Sequence, residues 1–190
     1  MTVSRIAVGV DGYPEGRDAV ALGAAIASVT GAELMLVAVH LDLLVVLPSG
    51  MDWKSLRTEA ESMLRDVRDL LAPGARTVAE SDLSISRALR RIVRRDHRDL
   101  LALGSSRHAA QGRVRIGKRT RQLLCHFECA LAIAPRGLHS QLPSGYGGSA
   151  LDMKAALSRR PRSLSRRPLR LRREPNCTFL GWSTTGSPCS

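Results

Sequence analysis

The chain has 190 residues and a net charge of +12, placed unevenly: residues 1–136 hold 20 basic and 15 acidic residues, whereas residues 137–190 hold 9 and 2. No uncharged apolar run reaches the roughly 18 to 20 residues of a membrane-spanning helix. The first residues lack the pattern of a signal peptide, and four irregularly spaced cysteines do not make a disulfide framework. These features exclude membrane-spanning and disulfide-rich secreted classes. They predict a cytoplasmic protein with one domain at residues 1–137 and a basic tail at residues 138–190.

Strand and helix patterns alternate along the predicted domain. A β-branched run at residues 5–10 predicts the first strand, and Pro14 with the Ala- and Leu-rich residues 16–29 predicts the first helix. The patterns that follow predict a strand at 33–40, a loop with turn signals at Pro48, Ser49 and Gly50, a helix at 56–71, a strand at 76–79, a helix at 84–95, a strand at 100–103, a helix at 120–127 and a strand at 130–134.

This alternation predicts an α/β fold, in which a five-stranded, mostly parallel sheet is doubly wound, with helices on both faces and right-handed crossovers. In such sheets, ligands bind outside the carboxyl ends of the strands, where the strand order switches. Asp11 follows the first strand and Gly104 follows the fourth. Both residues are therefore expected at the ligand-binding edge, although Asp11 could instead only terminate its strand in an Asx turn.

Residues 99–120 are the strongest candidate for a functional site. A short apolar strand ends at Gly104, Ser105 and Ser106, a loop follows, and Gly117-Lys118-Arg119-Thr120 opens a helical segment. A helix start of this kind presents unpaired backbone N–H groups to an anion. Residues 112–118, GRVRIGK, fit seven positions of a Walker A loop, but Arg119 occupies the position of its hydroxyl residue and the loop does not follow directly on its strand.

A second pattern fits these residues better, and with it the chain resembles the universal stress protein family. The family motif is a glycine, two residues, a glycine, nine residues, and a glycine followed by Ser or Thr; Gly104 and Gly117 have the spacing of the outer two glycines. Residues 5–27 look like the family's first strand, aspartate turn and helix, and residues 131–136, LAIAPR, look like its last strand. Arg107 replaces the middle glycine, and Lys118 replaces the hydroxyl residue.

The resemblance, over about residues 3–137, implies a Rossmann-like, adenine nucleotide alpha hydrolase-like fold that binds ATP or another adenine nucleotide, with or without Mg²⁺. It implies a non-catalytic or very slowly hydrolysing protein that is a homodimer through its last strand. It places Asp11 at the ribose or base and the Val39 backbone at the adenine. Around the phosphates it places Gly104, Ser105, Gly117, Lys118, Arg119 and Thr120, and Arg107 could add a guanidinium there.

Other residue clusters carry weaker hypotheses. Cys125, His126 and Cys129 lack a second pair of ligands with metal spacing, so no metal site is predicted. Ser105 and Ser106 lie near His108 in sequence, but no acidic residue is placed to orient that histidine as a catalytic base. The Arg-, Ser- and Pro-rich tail is expected to be disordered. It is either an extension without a role or an arm that binds nucleic acid or another polyanion while the domain serves as a dimerising scaffold.

Overall fold

The computed structural model describes residues 2–40, 53–124, 127 and 129–141, together with residues 173, 174, 177 and 178 of the tail. The strands are β1 (Arg5–Val10), β2 (Glu33–His40), β3 (Arg76–Ser81), β4 (Leu100–Gly104) and β5 (Ala130–Ala134). The helices are α1 (Pro14–Thr30), α2 (Trp53–Leu71), α3 (Ile85–Arg95) and α4 (Lys118–Leu124), and a short 3₁₀ turn covers His139–Gln141. Each predicted strand and helix is present, but α2 and α4 begin earlier than predicted, and the predicted turn at residues 48–50 lies outside the described residues.

The sheet has the order β3-β2-β1-β4-β5, and all four strand pairings are parallel. The central strand is β1, which pairs with β2 from Arg5↔Glu33 and with β4 from Ile6↔Leu100. Starting from β1, the chain adds β2 and β3 on one side of the sheet, and then β4 and β5 on the other side. The strand order therefore switches between β1 and β4, and the two strands that lead to Asp11 and Gly104 are neighbours.

Alternate residues of each strand feed two separate cores. Ile6, Val8 and Val10 of β1 point to the face covered by α1 and α2, together with Leu64 and Val67 of α2. Ala7 points to the opposite face, where Leu89 and Ile92 of α3 and Leu123 of α4 pack. These side chains are aliphatic and nearly fully buried, which is how a chain with 3% aromatic residues still builds a core. The double winding follows from this division of apolar residues.

The described part of the chain continues past the predicted domain boundary at residue 137. Residues 135–141 pack back onto α1 and onto the loop between β4 and α4, through hydrogen bonds of Arg136, Gly137 and His139. In the tail, β6 (Arg173–Glu174) pairs with β7 (Cys177–Thr178) in an antiparallel register. The other tail residues, on which the predictions of disorder and of polyanion binding depend, lie outside the described residues. Among the described helices, none is long and apolar enough to cross a membrane.

Candidate functional site

An open cleft lies at the carboxyl edge of the sheet, where the strand order switches. It encloses about 750 Å³ of empty space, part of which is continuous with solvent. Its floor is formed by the ends of β1, β2 and β4, and its sides by the starts of α1, α3 and α4. The lining residues are Gly9, Val10, Asp11, Glu15, Gly16, Val37, Val39, Ile85, Ser86, Leu89, Leu103, Gly104, Ser105, Arg119, Thr120 and Leu123.

Asp11 directly follows β1 and lies at the mouth of the cleft. Its Oδ1 accepts a hydrogen bond from the Tyr13 backbone N–H at 3.3 Å, so the side chain does close an Asx turn. Gly16 packs against this turn, since a Cβ atom there would lie 2.7 Å from the Asp11 carbonyl oxygen. Desolvation by the surrounding protein raises the pKa of Asp11, and Glu15 adds to the rise, while the Tyr13 N–H and Arg107 oppose it. Asp11 therefore both closes an Asx turn and lines the cleft.

Glu15, in the first turn of α1, is a cleft residue that the sequence analysis did not identify. It is 7% exposed, and its Oε1 lies 3.5 Å from Nε of Arg136. Its Oε2 is buried and has no hydrogen-bond partner among the described residues. An acidic residue in a first helical turn is ordinarily explained by the helix dipole, so the sequence contains no signal that this carboxylate is buried beside a cleft.

Gly104 and Ser105 end β4 in close contact with other parts of the chain. A Cβ atom on Gly104 would collide with the Glu15 carbonyl oxygen, so this glycine allows α1 to approach β4. Ser105 is 5% exposed. Its hydroxyl accepts a hydrogen bond from the Arg115 N–H at 2.7 Å and donates one to the Arg115 carbonyl at 3.3 Å. Ser105 therefore closes the base of the loop at residues 105–117, called the ligand loop below.

The predicted phosphate residues divide into two groups. Arg119 and Thr120 line the cleft, as do Asp11, Val39, Gly104 and Ser105. Gly117, Lys118 and Arg107 are not among the lining residues. Gly117 is in open space, because a Cβ atom on it would come no nearer than 3.9 Å to the Ser106 side chain. The Arg107 guanidinium lies 4.7 Å from the centroid of the Tyr13 ring, so it joins the two loops that flank the mouth of the cleft.

The comparisons with known proteins agree with this arrangement. A profile of the Universal stress protein family matches residues 2–135. The chain belongs to the universal stress protein family. A search of curated proteins finds no match.

Solved structures of universal stress proteins share this fold. One, in complex with cAMP, has a TM-score of 0.57 and 17% identity and covers 72% of this chain and 99% of its own. UspA from Lactobacillus plantarum has a TM-score of 0.55 and 19% identity, covering 70% and 99%. A family member from Burkholderia pseudomallei has a TM-score of 0.53 and 19% identity, covering 70% and 97%.

One wall of the cleft in this universal stress protein comes from α3, which the sequence analysis predicted only as a helix. Ile85 and Leu89 contribute apolar surface. Ser86, which is 6% exposed, donates to the Arg119 carbonyl at 3.3 Å and so links the starts of α3 and α4. Ile85 and Leu89 are four residues apart, so they lie on one face of the helix. That spacing does not indicate that the face borders an open cleft.

The distribution of charge distinguishes α3 from the ligand loop and α4. Residues 100–127 contain six basic residues and no acidic residue. Three arginines of α3 instead pair with acidic neighbours: Arg87 and Arg91 with Asp82, and Arg95 with Asp96. The ligand loop and the start of α4 therefore form a segment of one sign of charge, which favours an anion.

No candidate metal cluster is found within the described ranges. The described residues contain no group of three or more His, Cys, Asp or Glu side chains that could hold a metal ion. Cys129 is half-buried, and burial raises the pKa of its thiol to about 12, so it is protonated at neutral pH. Cys125 and His126 lie outside the described residues.

Proposed function

We propose that this universal stress protein binds an adenine nucleotide in the cleft and serves a stress response by binding rather than by catalysis. The observation that carries the proposal is that Asp11 and the Arg119–Thr120 pair, far apart in sequence, line one cleft at the switch point of the sheet. The solved structure with cAMP supports the choice of an adenine nucleotide.

The cleft has suitable surfaces for the base and the ribose. Val37, Ile85, Leu89 and Leu103 form an apolar wall against which a planar base can be buried. The Val39 backbone at the end of β2 is the expected partner of the polar edge of the adenine. The Asp11 carboxylate is an acceptor for hydroxyl or amino donors, because only its Oδ1 is engaged by the Asx turn within the described part of the chain.

The phosphates are proposed to lie at the start of α4. Gly117 offers open backbone that a phosphate can approach, and Lys118 and Arg119 bring positive charge beside it. Arg107 would supply a guanidinium where the family has a glycine, after leaving the Tyr13 ring. A Mg²⁺ ion would enter with the nucleotide, with Asp11 and Glu15 as the nearby carboxylates.

A binding function, rather than hydrolysis, is favoured by the state of the candidate nucleophile. The Ser105 hydroxyl exchanges hydrogen bonds with the backbone of Arg115 in both directions. A serine nucleophile needs an adjacent general base, and here a backbone amide and a carbonyl occupy that hydroxyl instead. We therefore propose that Ser105 is not a nucleophile, and we expect any hydrolysis to be slow, as the family resemblance implies.

A homodimer through β5 is proposed for the assembly. In the described sheet β5 pairs with β4 on one side only, and an edge strand presents unpaired backbone groups to another chain. Sedimentation of the full chain should give twice the monomer mass. A single monomeric species at every concentration tested would contradict this part of the proposal.

Calorimetric titration of the full chain with ATP, ADP, AMP and cAMP tests the proposed function. Wild-type protein should bind at least one of them, and Asp11→Ala and Gly117→Val should each weaken that binding by tenfold or more, on the order of one lost charged hydrogen bond. Glu61→Gln on the outer face of α2 is the control and should bind as the wild type does. Absence of binding by all four nucleotides would contradict the proposal and leave the fold assignment intact.

A further inference from the structure

Asp18 is a buried carboxylate in the interior of α1, one turn beyond Glu15. Asp18 is 0% exposed. Burying a charged carboxylate is costly unless hydrogen bonds from the protein replace those that water would make. Oδ2 accepts from the Gly137 N–H at 2.7 Å, and Oδ1 accepts from the His139 N–H at 2.8 Å. Nδ1 of His139 lies 2.6 Å from Oδ1, so the imidazole proton on that nitrogen completes the set. All three donors come from residues 135–141, called the strap below.

The strap connects Asp18 to the ligand loop through Arg136. The Gly112 N–H donates to the Arg136 carbonyl at 2.9 Å, and the Arg136 N–H donates to the Arg113 carbonyl at 3.1 Å. Nη1 of Arg136 donates to the Ala109 carbonyl at 2.9 Å. The next residue after Arg136 is Gly137, which Asp18 holds directly. The middle of the ligand loop, at residues 109–113, is therefore linked through Arg136 and Gly137 to a carboxylate on α1.

Gly137 shows how closely the strap and the loop are packed. Its φ of +80° lies in the left-handed region, and a Cβ atom on it would collide with the Gln111 side chain of the ligand loop. Arg136 also reaches the cleft wall, since its Nε lies 3.5 Å from Oε1 of Glu15. The strap thus contacts both the ligand loop and the first turns of α1.

We propose that Asp18 is a positioning residue for ligand binding: by holding the strap, it fixes the ligand loop in the conformation that receives the nucleotide. This inference rests on the proposed function. Asp18 itself is not among the residues that line the cleft and acts through Arg136 and the loop. The sequence gives no signal of this role, because the pattern around Asp18 is that of an ordinary amphipathic helix.

The test compares Asp18→Asn with a control that loses hydrogen bonds at the opposite edge of the sheet. Asn cannot accept on both sides of its amide, so Asp18→Asn breaks part of the strap contact. Oδ2 of Asp99 accepts from Ser4 N, Ser4 Oγ and Arg5 N, and Asp99→Ala removes all three bonds far from the cleft. A second pair of variants addresses the side-chain donor alone: His139→Leu removes it, and His139→Asn replaces it.

Two readouts on the full chain are needed: amide hydrogen exchange of residues 106–117 without ligand, and calorimetric affinity for ATP and AMP. Asp18→Asn should speed exchange in the ligand loop and weaken affinity, each by about tenfold, while exchange in β2 is unchanged. Asp99→Ala should lower the thermal midpoint while leaving both readouts within about twofold of the wild type. His139→Leu should show a smaller effect than Asp18→Asn, and His139→Asn should restore wild-type behaviour.

Two results would overturn the inference. One is unchanged loop exchange in Asp18→Asn; the other is an equal loss of affinity in Asp99→Ala, which would make the effect one of general stability. If the wild-type protein binds neither ATP nor AMP, the proposed function loses its support. The exchange measurement still decides whether Asp18 positions the loop, so the two failures are distinguishable.

Discussion

Gly104 at the end of β4 touches the backbone of Glu15 in the first turn of α1, so that a Cβ atom on Gly104 would collide with the Glu15 carbonyl oxygen. Gly117, the other outer glycine of the family motif, has no such neighbour. The two glycines therefore have different physical reasons to be glycine in this chain. Gly104 is required by the packing of α1 on the sheet, whereas Gly117, the residue before α4, has open space around its backbone that a ligand can use.

Replacing Gly104 with alanine should destabilise the protein. The added methyl group meets backbone atoms, which cannot move aside as a side chain can, so Gly104→Ala should lower the free energy of unfolding by about 1–3 kcal/mol. Urea unfolding measures this change. Gly12→Ala is the matched control, since a Cβ there meets nothing within 4 Å, and it should be neutral or stabilise by up to about 1 kcal/mol. Equal unfolding midpoints for the two variants would contradict the packing argument.

Replacing Gly117 with valine should separate binding from stability. The position is open, but it directly precedes α4, where valine is a poorer cap than glycine, so Gly117→Val should lower the free energy of unfolding by only about 1 kcal/mol. The branched side chain would nevertheless cover backbone that a phosphate must approach, so affinity for a nucleotide should fall by about tenfold or more. Calorimetry and urea unfolding on the same preparation test both statements. Wild-type affinity in Gly117→Val would place the phosphates elsewhere.

The alternation of strand and helix patterns was sufficient to predict the sheet, its parallel pairing and the edge at which a cleft would form. Asp11 and Gly104 were found because residues that directly follow strands of a parallel sheet meet at one edge. Glu15 and Asp18 were not found, because helical periodicity shows only which face of a helix is apolar. It does not show that a carboxylate on that helix meets a segment more than 100 residues later in the chain. Ser105 was identified as a phosphate ligand, but its hydroxyl closes the ligand loop, a contact that depends on where Arg115 folds back.

Asp82 should make stability depend on pH in the acid range. Hydrogen bonds from Arg87 foremost, with the Ser84 N–H and Arg91, lower the pKa of this carboxyl from 3.8 to about 2, despite its desolvation. The unfolded chain takes up the proton first as pH falls, so the stabilisation is present above about pH 4 and is lost as pH approaches 2. Because both arginines are partly exposed to solvent, we expect Asp82→Asn to cost about 1–2 kcal/mol at pH 7.

Urea unfolding at pH 7, 4, 3 and 2 measures that dependence. The free energies of unfolding of wild type and Asp82→Asn should converge as pH falls to about 2. Glu61→Gln removes an exposed i,i+4 pair with Arg57 and should change stability little at any of these values. A gap between wild type and Asp82→Asn that stays constant from pH 7 to pH 2 would show that the carboxylate charge is not its cause.

The charge of Asp11 should lower stability, whereas that of Asp82 raises it, because desolvation raises the pKa of Asp11 above 3.8. Above the folded pKa the carboxylate is charged in both states and is less well solvated in the folded one, so its ionisation disfavours folding. Asp11→Asn keeps an oxygen for the Tyr13 N–H and removes that charge. It should therefore raise the thermal midpoint at pH 7, and the gain should shrink and vanish as pH falls below 3.8.

The same substitution should weaken nucleotide binding, since an amide is a poorer acceptor than a carboxylate for ribose or base donors. A variant that is more stable at neutral pH but binds less tightly would indicate that Asp11 is kept charged for its ligand and not for the fold. Thermal unfolding across pH and calorimetry at pH 7 provide both measurements. A lower midpoint at pH 7 in Asp11→Asn would show instead that the charge of the carboxylate stabilises the fold, through a stronger hydrogen bond in the Asx turn after β1.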